Sequence, residues 1–354
     1  MQADEVSNIP MRKSTRLRSL VSDRFDQGKA IICPTAHDCV TARMWERAGC
    51  EFINVAGAAP TAVWTGEPEC GVVTMTELAN AAYRILGCVT IPGKVNIAQG
   101  GNALNVVRAV REYERAGAAL MQVEDQASGH FGGFIPGKQI ITIEEMTGKI
   151  QAACYAREDS DVLIAARTDA KLAAGGGTEE VIRRCHAYVE AGAELLMPHG
   201  IETIAEWKSL GAELRKIGVP LIASLSAGLL FTPKNQPRRD LLTPEQLGDM
   251  GWTVLAYANH VLHIQMTVAR DYMRDLMTPP HDISGWFEDM MDNGERMAIM
   301  GQPEWRAIEE IFMPSEHTEK RYGHVRAQDN YVYDTLDEAR ESVRKTMARK
   351  GIRR

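Results

Sequence analysis

Eight times along the chain a short apolar run, several of them rich in β-branched residues, is followed by a longer stretch of helical period. No other feature limits the fold as much. The runs are AIICPTA (30–36), FINVAG (52–57), IPGKVNI (91–97), ALMQVED (119–125), DVLIAARTD (161–169), AELLMPHG (193–200), VPLIASL (219–225) and WTVLAYAN (252–259). The stretches between them, such as TMTELANAAYRILG and TIEEMTGKIQAACYARE, open with Thr followed by Glu, a helix-start signal. Several end in Ala-Gly or Ile-Gly, a stop signal. Near-continuous apolar strands separated by helices imply parallel pairing with both faces covered. Eight such units in about 250 residues point to a (β/α)8 barrel, with a doubly wound open sheet as the competing arrangement.

The repeated AGCEFI, AGAALM and AGAELL mark helix stops that turn into strands, not a duplicated domain. STRLRSLVSDRF predicts an N-terminal helix laid across one end, so the barrel is expected over 1–277. After Met277 the pattern changes at Pro279-Pro280, and 278–354 reads as a C-terminal helical appendage with too few large apolar residues for its own core.

The net charge of -7, with no basic stripe, argues against nucleic acid as a partner. No apolar run approaches the roughly 20 residues of a membrane span, and no signal-peptide core is present, so no membrane partner is expected. The 7 cysteines stand singly without a C-x-x-C pair, which fits a reducing compartment. A cytoplasmic location is the expectation.

In a parallel barrel the active site lies at the strand C-terminal ends. Those ends offer His37 and Asp38 on strand 1, Gly57 and then Glu69 after strand 2, and Asn96 and Gln99 on strand 3. Glu124 and Asp125 follow on strand 4, Arg167 and Asp169 on strand 5, His199 on strand 6, and Ser224 on strand 7. Glu69, Asn96 and Glu124 supply oxygen donors of the kind that suits Mg²⁺ or Mn²⁺. Arg167 is the natural fork for a substrate carboxylate. Such a site would polarise a 2-oxo or 2-hydroxy acid and stabilise an enolate as a carbon–carbon bond breaks. Each residue also has a plainer use: Glu124 and Arg167 as a rim ion pair, Asp38 as a helix cap, His199 as a structural imidazole. His130 lies in the glycine-rich stretch SGHFGGFIPGK, where mobility would suit acid–base work but a solvent-facing histidine needs no role.

The segments STRLRSLV, PTAHDCVTARMWERAGCEFINVAGA, GEPECGVVTMTEL, AGAALMQVEDQ, ARTDA and AYVEAGAELLMP carry a resemblance to the isocitrate lyase / phosphoenolpyruvate mutase superfamily over roughly 13–275. V-E-D-Q and A-R-T-D-A on consecutive strands are its most specific part. The resemblance implies a (β/α)8 barrel whose last helix is exchanged between subunits of a homotetramer, and Mg²⁺-assisted chemistry on small carboxylates. It makes Glu124 the metal-site glutamate and Arg167 the substrate-binding arginine. Asp38 matches an acid near the first strand, and Glu69 stands where the family has aspartate. Departures are also clear. The family's D-x-D-x-G-Y-G is Asn96-Ile97-Ala98-Gln99-Gly100-Gly101-Asn102, so both aspartates are gone. The lid motif K-K/R-C-G-H is His130-Phe131-Gly132-Gly133-Phe134, and the Ser-Gly-Gly carboxylate cradle is Ala56-Gly57-Ala58. His199 replaces a glutamate and Ser224 an asparagine.

The expectation is a lyase cleaving a carbon–carbon bond next to a carbonyl in a small 2-oxo or 2-hydroxy (di)carboxylic acid. Here Glu69, Asn96 and Glu124 hold the cation; Glu124 with His130 or His199 does the chemistry. Arg167, Asn96, Gly57, Ala58, Asp38 and Ser224 bind substrate. Two alternatives stay open: a hydrolase or decarboxylase of an oxo acid using histidine chemistry without a tightly bound metal, and a non-catalytic metabolite-binding barrel.

Overall fold

The computed structural model describes residues 11–97, 101–127, 138–173, 175–226, 241–316 and 336–352. The eight apolar runs form parallel strands: β1 (Ile31–Pro34), β2 (Ile53–Val55), β3 (Gly93–Asn96), β4 (Leu120–Glu124), β5 (Leu163–Thr168), β6 (Leu195–Pro198), β7 (Leu221–Ser226) and β8 (Trp252–Ala258). Each pairs with its neighbour from β2 through β8, and β8 pairs with β1. The ring closes through a bridge between Thr35 and Asn54, where the Ala36 amide donates to the Asn54 carbonyl at 2.9 Å. This is a (β/α)8 barrel, not the open doubly wound sheet.

Helices alternate with the strands: α1 (Lys13–Gln27), α2 (Cys39–Arg47), α3 (Ala58–Thr65), α4 (Met75–Gly87), α5 (Ala103–Arg115), α6 (Ile143–Ala156), α7 (Thr178–Glu190), α8 (Ile204–Leu214), α9 (Pro244–Asp249) and α10 (His260–Met277). Thr74, Thr142, Thr203 and Thr243 each start one through a capping box with Glu77, Glu145, Glu206 and Gln246. Two otherwise orphaned backbone donors are satisfied at each of those ends. Such local chemistry sets where each helix begins, and so the length of each connection to the rim.

Strand alternation divides the core in two. Val95, Met121, Val123, Ile164, Ala166, Leu196, Ala223 and Leu255 face the helices. Ile31, Cys33, Leu120, Leu163, Ala165, Leu195, Met197, Ile222, Val254 and Ala256 fill the barrel, together with Leu17 and Val21 from α1. α1 therefore plugs the N-terminal end, and each of those two side chains contributes about 1.5–3 kcal/mol of burial. Lys13 fastens it there by donating to the Leu86 and Val89 carbonyls at 2.7 Å. With that end sealed, the opposite rim is left for a ligand.

The chain divides into two compact units, one through Thr267 and one from Val268. Helix α10 runs across that division, and none of its residues is buried. Among the described residues three further helices follow, α11 (Asn293–Ile299), α12 (Gln302–Phe312) and α13 (Leu336–Arg349). Arg340 of α13 pairs with Glu310 of α12 at 2.8 Å, and Ala307 is buried. Among the described residues no helix is long and apolar enough to cross a membrane.

Candidate functional site

The alternation that sends Leu120, Leu163, Leu195 and Ile222 into the barrel sends every second residue after them the same way. Toward the C-terminal rim these are Gln122 and Glu124 on β4, Arg167 on β5 with Asp169 after it, His199 after β6, and Ser224 on β7. By the same rule Asn54 on β2 and Lys94 and Asn96 on β3 point inward, since Ile53, Val55 and Val95 pack on the helices. Apolar side chains floor the barrel and polar ones crown it.

Asp169 joins this crown together. Its Oδ1 accepts from Arg167 Nη2 at 2.9 Å and Lys138 Nζ at 2.8 Å, and lies 3.2 Å from His199 Nδ1. Gln126 donates to its Oδ2 at 3.2 Å. Burial opposes its ionisation, but Arg167, His199 and Lys138 more than offset that and hold it well below the usual carboxylate range. Arg167 lies with Nη1 3.4 Å from Glu124 Oε2, as the register pairing Glu124 with Arg167 requires. Its pKa rises despite burial because Asp169 and Glu124 flank it. For His199, burial and then Arg167 pull the pKa down to about 4, against the pull of Asp169. The imidazole is therefore neutral at physiological pH. An ionised Asp169 beside Nδ1 favours the tautomer with the proton there, which leaves Nε2 as an acceptor.

The adjacent acids of V-E-D-Q separate to opposite faces of their strand. Glu124 enters the pocket, 1% exposed. Asp125 turns toward α7, where Tyr188 Oη donates at 2.8 Å and Arg184 Nη1 at 3.1 Å, and its other oxygen accepts from the Asp169 amide at 2.9 Å. Asp125 is thus a clamp between strand ends and helix. Lys149 of α6 donates to the Glu124 carbonyl at 3.0 Å and ties down the same strand end.

A second polar layer lies on β2, β3 and β4. Lys94 Nζ donates to Asn54 Oδ1 at 3.1 Å and Asn96 Oδ1 at 2.5 Å. Burial brings its pKa down to about 8, with Arg167 pushing the same way and Cys33 and Glu124 opposing. Asn96 pairs in register with Gln122.

The remaining expected residues divide. Glu69 reaches the rim, because its Oε1 occupies the space where a Cβ on Gly57 would sit, only 2.6 Å away. Its charge is among those that raise Arg167. Gly57 therefore admits the Glu69 carboxylate, and Ala58 begins α3 beside it. Ser224 is buried on the inward face of β7. Asp38 caps α2, with Oδ1 accepting from the Thr41 amide at 2.7 Å, so that oxygen is committed to backbone, while Oδ2 lies 3.7 Å from His37 Nε2. His130 and Gln99 lie outside the described residues.

Two of the three donors expected for a cation already face protein cations. Asn96 Oδ1 already accepts from an ammonium, and Glu124 lies against the Arg167 guanidinium. Among the described residues no group of three His, Cys, Asp or Glu is placed to hold a metal. Glu69, Asn96 and Glu124 as arranged do not fit direct ligation of a hard dication by all three, because Asn96 Oδ1 is taken by Lys94 and Glu124 faces Arg167.

Sequence reasoning passed over Lys94, Gln122, Lys138 and the central part of Asp169. Period-two counting from Asn96, Glu124 and Arg167 would have found Lys94, Gln122 and Asp169. Lys138 stands in the Gly137-Lys138 pair that belongs to the family resemblance, but nothing local gives it a role.

The family model described as phosphoenolpyruvate phosphomutase matches residues 23–277. The chain is 32% identical to 2,3-dimethylmalate lyase of Eubacterium barkeri over 303 residues, covering 84% of this chain and 98% of that one. It is 32% identical to 2-methylisocitrate lyase of Aeropyrum pernix over 262 residues, 74% of this chain and 79% of the other. A solved structure of phosphonopyruvate hydrolase, in complex with oxalate and Mg++, superposes with a TM-score of 0.72 at 26% identity, covering 86% of this chain and 100% of that chain.

Proposed function

The chain belongs to the phosphoenolpyruvate mutase/isocitrate lyase superfamily, and from that premise we propose that it is a lyase cleaving a carbon–carbon bond next to a carbonyl in a small 2-oxo or 2-hydroxy (di)carboxylic acid. The observation that carries this reading is Arg167, held between Glu124 and Asp169 at the strand ends with His199 on the same aspartate. A guanidinium fixed from two sides meets a carboxylate with little loss of side-chain freedom.

In the reaction, Arg167 binds the substrate carboxylate. His199 Nε2 accepts the hydroxyl proton as the adjacent carbon–carbon bond breaks, and Asp169 stabilises the imidazolium that forms. An anion on Arg167 also offsets the charge that depresses His199, so substrate binding raises the basicity of its own base. Glu124 and Glu69 border the departing fragment, with Ser224, Gly57 and Ala58 lining the same mouth. His130 is the proposed donor that returns a proton to the carbanion. The solved phosphonopyruvate hydrolase holds Mg²⁺; here Asn96 and Glu124 face Lys94 and Arg167 instead.

Incubating the protein with a panel of 2-hydroxy and 2-oxo dicarboxylates and following 2-oxo acid release tests the reading. His199→Gln should abolish release. If no compound in the panel is cleaved, the pocket is that of a metabolite-binding barrel. A second reading, hydrolysis or decarboxylation of an oxo acid without a tightly bound metal, is favoured by the ammonium–amide layer on β3; release of CO2 or of two acids without a new carbonyl would select it.

We further propose a homotetramer of cytoplasmic location, with 278–354 as an appendage to the barrel. Exposed Ile264, Met266 and Met273 on α10 support subunit contact, and seven free cysteines support a reducing compartment. Light scattering that returned the mass of one 39.1 kDa chain would refute the assembly.

A further inference from the structure

Lys94 has no part in the reaction just described, yet it stands 1% exposed inside the barrel. Burying an ammonium is costly unless its hydrogen bonds are met and its charge has a use. Two of its three donors go to Asn54 and Asn96, which leaves one N–H. Gln122 is equally buried, and among the described residues neither its Oε1 nor its Nε2 has a partner. A buried amide unpaired at both ends calls for an explanation, such as a catalytic role or a bound polar group. Asn96 links the two: it accepts from Lys94, is the register partner of Gln122, and is partly exposed to the mouth.

We propose that Lys94, Asn96 and Gln122 form a metal-independent oxyanion subsite that receives the 2-oxo or enolate oxygen of the substrate while Arg167 holds its carboxylate. The resemblance puts two aspartates on this strand. This chain has Asn96 and Ala98 there, and a protein ammonium occupies the neighbouring space. A fixed cation with amide donors stabilises developing negative charge without any need to recruit an ion. The inference deepens the oxo-acid reading and rests on it for the nature of the ligand.

Oxalate is the probe, because its planar vicinal oxygens mimic the enolate of a 2-oxo acid. Full-length protein purified with EDTA is titrated with oxalate by calorimetry, with EDTA present and again with Mg²⁺ or Mn²⁺ in its place. Binding is expected in EDTA, with Kd changing by less than about threefold when metal is added. Lys94→Met should weaken it by at least about tenfold, the usual loss for a charge-assisted hydrogen bond. Should that variant fold poorly, Gln122→Leu answers the same question. It replaces an unpaired amide with an apolar group, so a merely structural role predicts equal or greater thermal stability and unchanged binding. The subsite predicts the stability together with at least a tenfold loss of oxalate. Oxalate binding that requires metal, no oxalate binding at all, or wild-type affinity in both variants overturns the proposal. No turnover is needed for these readings. Metal-independent oxalate binding without cleavage of any substrate would sink the lyase and keep the subsite; cleavage that depends on Mg²⁺ would do the reverse.

Discussion

Replacing Asp169 by asparagine keeps the shape of the side chain and removes the one charge on which Arg167, Lys138 and His199 converge. In the native protein its Oδ1 is within 2.9 Å of Arg167 Nη2, 2.8 Å of Lys138 Nζ and 3.2 Å of His199 Nδ1. An amide oxygen cannot compensate two buried cations, and the amide nitrogen adds a donor where donors are already in excess. Breaking a buried pair by removing one partner costs about 3–5 kcal/mol. At roughly 2–4 °C per kcal/mol for a domain of this size, the melting temperature should fall by about 6–20 °C. Because the native pKa lies well below the usual carboxylate range, this contribution is fully present above the unfolded pKa. It is lost only as pH falls through the lower native value. The deficit of Asp169→Asn should therefore stay constant from neutral pH down to about pH 4. Urea unfolding of the wild type, Asp169→Asn, Lys138→Met and the double variant gives the coupling directly. A loss under about 1 kcal/mol, or no coupling to Lys138, would refute the account of this aspartate as the charge that organises the crown.

Arg167→Gln should raise KM for a carboxylate substrate by about 10- to 100-fold, the worth of a charge-assisted pair, with the fold intact by circular dichroism. For His199 the native pKa of about 4 lies below the ordinary 6.5, so its contribution is complete above pH 6.5 and is lost as pH falls through 4. The wild type should lose up to about 3 kcal/mol over that window that His199→Gln does not lose, measured by urea unfolding at stepped pH. Gly57→Ala places a methyl 2.6 Å from Glu69 Oε1, the far end of a flexible side chain. Stability should change by less than about 1 kcal/mol while kcat/KM drops, since the carboxylate must leave the rim. Equal drops in stability and activity would mean that Gly57 serves packing alone.

The barrel was legible in the sequence because its signals are local. Near-continuous apolar runs, Thr-x-x-Glu starts and glycine stops are set by the backbone chemistry of a few adjacent residues, and the structure follows them from β1 to β8. Glu124, Arg167 and His199 were legible for a related reason: strand ends in a parallel barrel converge whatever their spacing in the chain. Pairing was not legible. Nothing in A-R-T-D-A says that Asp169 accepts from Arg167, Lys138 and Gln126 together, nor that Asp125 is spent on Tyr188 and Arg184 while its neighbour Glu124 enters the pocket. Asp38 carries two readings in the sequence, ligand and helix cap, and the start of α2 takes one of its oxygens. Most consequentially, nothing in the sequence says that Lys94, two residues earlier on the same strand, donates to Asn96. The type of each side chain, and the face of the strand it takes, belong to the sequence. Which oxygen meets which cation is decided only when the strands close, because electrostatic partners are chosen by distances across the barrel that no stretch of chain contains.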